Sequence, residues 1–349
     1  GIADQMLIGP EFEFHLFDNV SYMVEPQRMA FTVDTRQASW NSGREAADNK
    51  GFQVPGGGGY HIAAPQDTAY TLRSRMCMML QEWGVDVKYH HHEVGGSGQM
   101  EIEVELGDMV DMADKTMIIK YVIHNAAVQD GRTATFMPKP IFGINGSGMH
   151  TNMSLFQGGK NAFYDPDDPK GLSKEAYSFI AGLLAHVKGM AAVTNPLVNS
   201  YKRLVPGYEA PCYLAWSASN RSALIRIPAA RGQSTRVELR SPDPACNPYL
   251  ELAVCLAAGL DGIEKGLTPP PEVTENIFDM NAAARKAHGI DSLPDSLEEA
   301  IHALEADPLV LDTLGEHVAA NYIEGKRKEW EEYRTRVSSW EREKYIINY

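Results

Sequence analysis

Apolar and acidic positions alternate strictly from Met100 to Leu106: Met100, Ile102, Val104 and Leu106 fall on one side, Glu101, Glu103 and Glu105 on the other. A period of two predicts a strand with one apolar and one acidic face. The pattern recurs in Leu7–Phe17, where Phe12, Phe14 and Leu16 oppose Glu11, Glu13 and His15. Glutamate is a poor strand former, so two on one face call for solvent or a cation. Met149–Leu155 places His150, Asn152 and Ser154 on one strand face, and Arg236, Glu238 and Arg240 alternate with Val237 and Leu239. A lone acidic strand face is usually a solvated one. The recurrence is what makes these faces candidates for one site.

Helical spacing takes over between these strands. Leu72, Met76, Met79, Leu80 and Trp83 predict a helix after Pro65-Gln66-Asp67, stopped by Gly84, with a short strand near Val85–Val87 beyond it. Further helices are expected at about Met109–Gln129, at Ser173–Val193 before Asn195-Pro196, and at Asn247–Lys265 before Pro269-Pro270-Pro271. The methionines at helical spacing read as core rather than soft-metal ligands. A helical tail runs from about 295 to 349; Ser296 and Glu299 make a capping box, and Tyr322–Trp340 reads as one charged, aromatic helix. Its aromatics suit packing against something, such as another subunit. Residues 19–60 read as loops with short strands, ending in a flexible glycine run, Gly56–Gly59. No internal repeat is evident.

Composition narrows the function. A length of 349 residues allows one large domain or two, and a formal net charge of −14 argues against nucleic acid and anionic membrane as partners. No apolar run reaches the roughly 20 residues that span a bilayer, and Gly1-Ile2-Ala3-Asp4 does not begin a signal peptide. Cys77, Cys212, Cys246 and Cys255 lack CxxC spacing. Neither a zinc site nor a disulfide framework is expected, and a reducing cytoplasm fits.

The candidate chemistry is carried by acids and arginines. Glu93 and Glu101 flank the small-residue loop Val94–Met100. With Glu11, Glu13, Glu238 and His150 they form an oxygen-rich set with one imidazole, which suits Mg²⁺ or Mn²⁺ rather than zinc or copper. Five carboxylates in one cavity would repel unless two divalent cations neutralised them. Arg203, Arg221, Arg226, Arg236 and Arg240 offer planar bidentate donors for phosphate and carboxylate; the alternative is surface ion pairing. Paired hard metals with arginines equip a site for phosphoryl transfer. Gly143–Gly148 lacks GK[ST] and a following helix, so it is a weak nucleotide motif.

These residues resemble bacterial-type (class I) glutamine synthetase. The likeness rests on Gly9-Pro10-Glu11-Phe12-Glu13-Phe14, His91-His92-Glu93, Asn145-Gly146-Ser147-Gly148-Met149-His150, and the loop from Asn199 through Arg203 to Glu209. Asn220-Arg221-Ser222, Ile225-Arg226-Ile227-Pro228 and Arg236-Val237-Glu238-Leu239-Arg240 complete it, in the family's order and spacing. The resemblance implies an α+β catalytic domain over 1–349, a curved, largely antiparallel sheet with helices outside. It implies that Glu13, Glu93 and Glu101 hold one metal and Glu11, His150 and Glu238 another. Arg221, Arg226 and Arg236 would grip ATP phosphates, and Asn152 and Ser154 would contact the nucleotide. Asn145, Gly146, Arg203 and Arg240 would orient L-glutamate, while Glu209, on a flap, would help form the ammonium pocket. The implied reaction makes L-glutamine from glutamate, ammonium and ATP through an acyl phosphate. A γ-glutamyl-amine ligase and a non-catalytic scaffold are the alternatives, and homo-oligomers, commonly dodecamers, are implied.

The chain also departs from the family. Members begin with a β-grasp domain of about a hundred residues, whose aspartate reaches a neighbour's ammonium site. This chain starts at the catalytic domain, so slow biosynthetic turnover by itself is expected. Lys88 stands where many relatives have glutamate near the nucleotide. Phe278 stands where some carry an adenylylated tyrosine, and a phenyl ring offers no hydroxyl to modify.

Overall fold

A computed structural model describes residues 1–349. The strands are β1 (Gln5–Phe17), β2 (Asn19–Glu25), β3 (Arg28–Asp34), β4 (Val87–His92), β5 (Gln99–Val104) and β6 (Gly107–Asp108). After them come β7 (Thr133–Thr135), β8 (Thr151–Gln157), β9 (Lys160–Asn161), β10 (Trp216–Ser217), β11 (Ile225–Arg226) and β12 (Val237–Leu239). The helices are α1 (Tyr70–Glu82), α2 (Met109–Gln129), α3 (Lys174–Thr194), α4 (Ser200–Arg203) and α5 (Pro248–Glu264). The remainder are α6 (Ala282–Ala287), α7 (Leu297–Glu305), α8 (Pro308–Leu314), α9 (Glu316–Arg334) and α10 (Ser339–Tyr345).

The main sheet runs β10-β11-β12-β8-β1-β5-β4, antiparallel except for the β10–β11 pair. β1 is its spine, pairing with β5 along one edge and β8 along the other. The period-two pattern acts here as expected. Ile8, Phe12 and Phe14 of β1, Ile102 of β5 and Met153 of β8 bury their side chains in one core with Ile119 and Ile123 of α2 and Phe179 and Leu183 of α3. The acids of the same strands turn to the opposite face. This is the α+β arrangement expected, an antiparallel sheet with helices packed outside.

Helix boundaries follow local chemistry. Asn247 caps α5 by accepting the N–H of Tyr249, with Pro248 in the first turn where its missing N–H costs nothing. Ser173 caps α3 and Asp108 caps α2. α3 is long and apolar enough to cross a membrane, but it is largely buried in this fold, packed on α5 and α7. Its apolarity is that of a core helix.

Five expectations are corrected. Residues 19–34 form a regular hairpin, β2–β3, rather than mostly loops. The short strand placed near Val85–Val87 begins at Val87 and continues to His92, because its partner β5 extends the ladder. The Gly56–Gly59 run is open at Gly56 and Gly57 but pinned at its end: a Cβ at Gly59 would stand 2.3 Å from the Glu93 carbonyl oxygen, so that glycine permits a backbone contact no other residue could make. The Tyr322–Trp340 helix is two helices, since Ser338 and Glu341 form a reciprocal capping box that starts α10 after α9 has ended. At Ser296 only half a box forms; the Glu299 carboxylate takes the N–H of Asp295 instead, at 3.1 Å.

Candidate active site

Strand register decides which acids meet. Across β1–β5, Glu11 lies opposite Glu103 and Glu13 opposite Glu101. Across β8–β12, Asn152 lies opposite Glu238. The acidic faces therefore converge into one cavity of about 680 Å³, lined by Glu11, Glu13, Glu93, Glu101, His150 and Glu238 and by Arg203, Arg221, Arg226, Arg236 and Arg240. Asn145, Gly146 and Glu209 complete its wall.

Three groupings bring potential ligand atoms within 4.8 Å of one another: Glu11, His150 and Glu238; His91, Glu93 and Glu101; and Glu11, Glu101 and Glu103. They share Glu11 and Glu101, so they form one continuous row. The first matches the expected set. In the second, His91 takes the place expected for Glu13. One Glu13 oxygen is already committed, accepting the Gly148 N–H at 2.7 Å and the Gln99 amide at 3.2 Å, while the other stands 3.9 Å from His150 Nε2.

The electrostatics fit a cation-binding site. Burial, then the charge of Glu13, pushes Glu93 up to about 8. Burial and Glu11 push Glu101 well above the carboxylate range. Glu11 is raised by burial and Glu103, and Glu238 by burial and Glu11. Burial, then Arg240, holds His150 down to about 4, leaving its imidazole neutral and able to ligate. Acids that resist ionising together are neutralised by divalent ions, and oxygen donors with one imidazole suit Mg²⁺ or Mn²⁺.

The arginines differ in availability. Arg226 pairs with the fully buried Glu238, and Arg240 Nε lies 3.3 Å from the same carboxylate. Arg221 is exposed and Arg236 half-buried on the rim. Arg203, expected in a loop, ends α4 and is buried. It donates to the carbonyls of Ser241 at 2.7 Å and Arg240 at 3.1 Å, so much of its guanidinium is spent on bracing the backbone.

Two expected nucleotide contacts lie behind the wall. Ser154 is buried, donating to the Thr235 carbonyl at 2.8 Å and accepting from Asn161 at 3.0 Å. Asn152 donates to Glu11 at 3.0 Å and accepts from Arg236 Nε at 2.9 Å. It ties an arginine to a ligand carboxylate; neither residue lines the cavity.

Sequence reasoning missed His91, Glu103, Tyr60, Tyr89 and Tyr208. Glu103 carried a signal, being in register with Glu101 two residues earlier. Tyr89 donates to Glu103, and Lys88 pairs with the same residue at 3.0 Å. Tyr60 stands edge-on to His91, ring centres 5.4 Å apart, across a fold that no local pattern announced. Phe278 lines the cavity and packs against Tyr213.

Comparison with known proteins agrees with this geometry. Residues 1–345 match the family model described as glutamine synthetase, catalytic domain. The chain is 52% identical over 344 residues to a glutamine synthetase of Clostridium saccharobutylicum, covering 99% of this chain and 72% of that protein. It is 53% identical over 346 residues to one of Thermus thermophilus, with coverage of 99% and 72%. A solved glutamine synthetase of Plasmodium falciparum superposes with a TM-score of 0.86 at 31% identity, over 98% of this chain and 75% of that one.

Proposed function

The chain belongs to the glutamine synthetase family through its catalytic domain, and on that premise we propose that it ligates ammonia to L-glutamate with ATP. The observation that carries this reading is the unbroken row of ligand groupings facing five arginines in one cavity. The γ-carboxylate oxygen attacks the terminal phosphorus of ATP, and the bond to ADP breaks. Ammonia then attacks the acyl carbon, and phosphate leaves as glutamine forms.

Glu11, His150 and Glu238 would hold one Mg²⁺ or Mn²⁺, and Glu93 and Glu101, with His91 or Glu13, the other. Bound there, such ions supply charge neutralisation and polarise phosphate oxygens. Arg221, Arg226 and Arg236 bind and steady the phosphates, where positioning and electrostatics supply most of the rate. Arg240, Asn145 and Gly146 orient glutamate, with Arg203 bracing the backbone of residues 240–242 that follows β12. Glu209 accepts the proton that ammonium must lose, and its loop limits the access of water to the acyl phosphate.

The four cysteines are free, which suits a reducing compartment such as the cytoplasm. Homo-oligomerisation is supported by β2–β3, where Val20, Tyr22, Val24, Met29, Phe31 and Val33 share one face and Tyr22 is 78% exposed.

Incubation with ATP, glutamate and Mn²⁺, with and without ammonium, tests the reaction. Glutamine formation with ADP release that rises on adding ammonium is expected. A preference for alkylamines over ammonium would shift the assignment to a γ-glutamyl-amine ligase, and failure to bind either Mn²⁺ or ATP would leave a scaffold.

A further inference from the structure

The loop that carries Glu209 has almost nothing of its own to hold it. No residue from Gly207 to Ala210 donates a backbone hydrogen bond. Glu209 itself adopts a positive φ of 59°, a conformation unfavourable for a residue with a side chain, next but one to Gly207 at 94°. Such a conformation persists only when its surroundings impose it.

The surroundings do so through Tyr208. The Lys139 ammonium lies 3.8 Å from the centre of the Tyr208 ring, and the Asn145 amide donates to the Tyr208 carbonyl at 3.2 Å. Lys139 is in turn fixed. Its backbone N–H donates to Asn199 Oδ1 at 2.7 Å, Asn199 Nδ2 returns a bond to its carbonyl at 3.0 Å, and its ammonium also donates to the Ile144 carbonyl. The lysine is 8% exposed, so the cation–ring contact is largely shielded from water, where it is strongest.

We propose that Lys139 and Tyr208 form a latch that holds the Glu209 loop over the cavity, making Lys139 a positioning residue for ammonia capture. The inference rests on the ligase reading above. Lys139 touches no reacting atom; it acts through Tyr208 on the next residue, Glu209, whose charge already reaches Glu93. Burial, then the charge of Arg203, lowers the Lys139 ammonium to about 8, which leaves it cationic at neutral pH. Released, the loop would still allow glutamate and ATP to react, but would capture ammonia poorly and admit water to the acyl phosphate.

The test compares Lys139→Met and Tyr208→Leu with the conservative Lys139→Arg and Tyr208→Phe, reading the KM for ammonium and the ratio of ADP to glutamine. A cation–ring contact shielded from water predicts about a tenfold rise in ammonium KM for the first pair. Their ADP should exceed glutamine, while the KM for glutamate stays within about twofold. The conservative pair should behave like the parent. Unchanged coupling in Lys139→Met, or an equal loss of glutamate and ammonium affinity, overturns the latch. Chymotryptic cleavage after Tyr208 provides a readout that needs no turnover, and it should be faster in Lys139→Met than in the parent. Equal cleavage rates overturn the latch even if the parent shows no ammonium-dependent reaction, a result that would count against the ligase reading alone.

Discussion

Glu251 shows how one buried carboxyl can shape behaviour without entering the cavity. On α5, it is fully buried and accepts the Thr151 hydroxyl at 3.0 Å, one residue from His150, together with the Cys255 thiol. Burial pushes it up from 4.5 to about 7. A carboxyl whose folded value is raised binds more protons folded than unfolded, so stability falls as pH rises from about 4.5 to 7. The swing is of order 3 kcal/mol. Glu251→Gln should therefore flatten the dependence of Tm on pH across that window; an unchanged slope would show that Glu251 does not titrate there. Glu238 differs, being a ligand candidate held between Arg226, Arg240 and His150. Loss of a partner behind a metal ligand commonly costs 10–100-fold in affinity, so Glu238→Gln should weaken Mn²⁺ binding by at least about tenfold in calorimetric titration.

Among the elements, α3 and α5 make the tightest approach. A Cβ on Gly182 would lie 2.1 Å from the Ala258 carbonyl oxygen, and one on Gly262 2.1 Å from that of Ser178. Both neighbours are backbone and cannot swing aside. Gly182→Ala and Gly262→Ala should each destabilise the fold by about 1–3 kcal/mol or more, seen as a lower urea midpoint. Gly325, exposed on α9 with open space around it, gives the opposite sign. Alanine there should stabilise by about 0.5–1 kcal/mol. A glycine's helical cost is visible in sequence, but whether it serves close packing is not. The tail shows the same divide. Ser338 and Glu341 were legible as a cap only once α9 was seen to end before them.

For the whole molecule, the sheet gathers like charges that protons, arginines or bound cations must offset. Glu93, raised to about 8, and Glu101 and Glu11, also raised, keep protons in the folded state that the unfolded chain releases above about 4.5. After chelation, stability should decline as pH climbs from 5 to 8, and added Mn²⁺ should restore Tm most at the alkaline end. A Tm indifferent to Mn²⁺ at pH 8 would remove the case for cation binding in this cavity.

The pattern of residues sufficed for the parts whose physics is local. Alternation in β1 and β5, caps at Ser173 and Asn247, and the acidic character of each strand face depend on neighbours within a few positions. The motifs around Glu11, His150 and Glu238 told which residue types would meet, through likeness to a family. Tertiary structure decided which atoms do meet: His91 grouped with Glu93 and Glu101, one Glu13 oxygen taken up by Gly148 and Gln99, Asn152 and Ser154 behind the wall, and Arg203 turned to carbonyls. Those outcomes depend on strand register and on contacts such as Glu11 with His150, 139 residues apart. Distances of a few tenths of an ångström set there decide whether a side chain is a ligand or a brace, and no short-range periodicity encodes them.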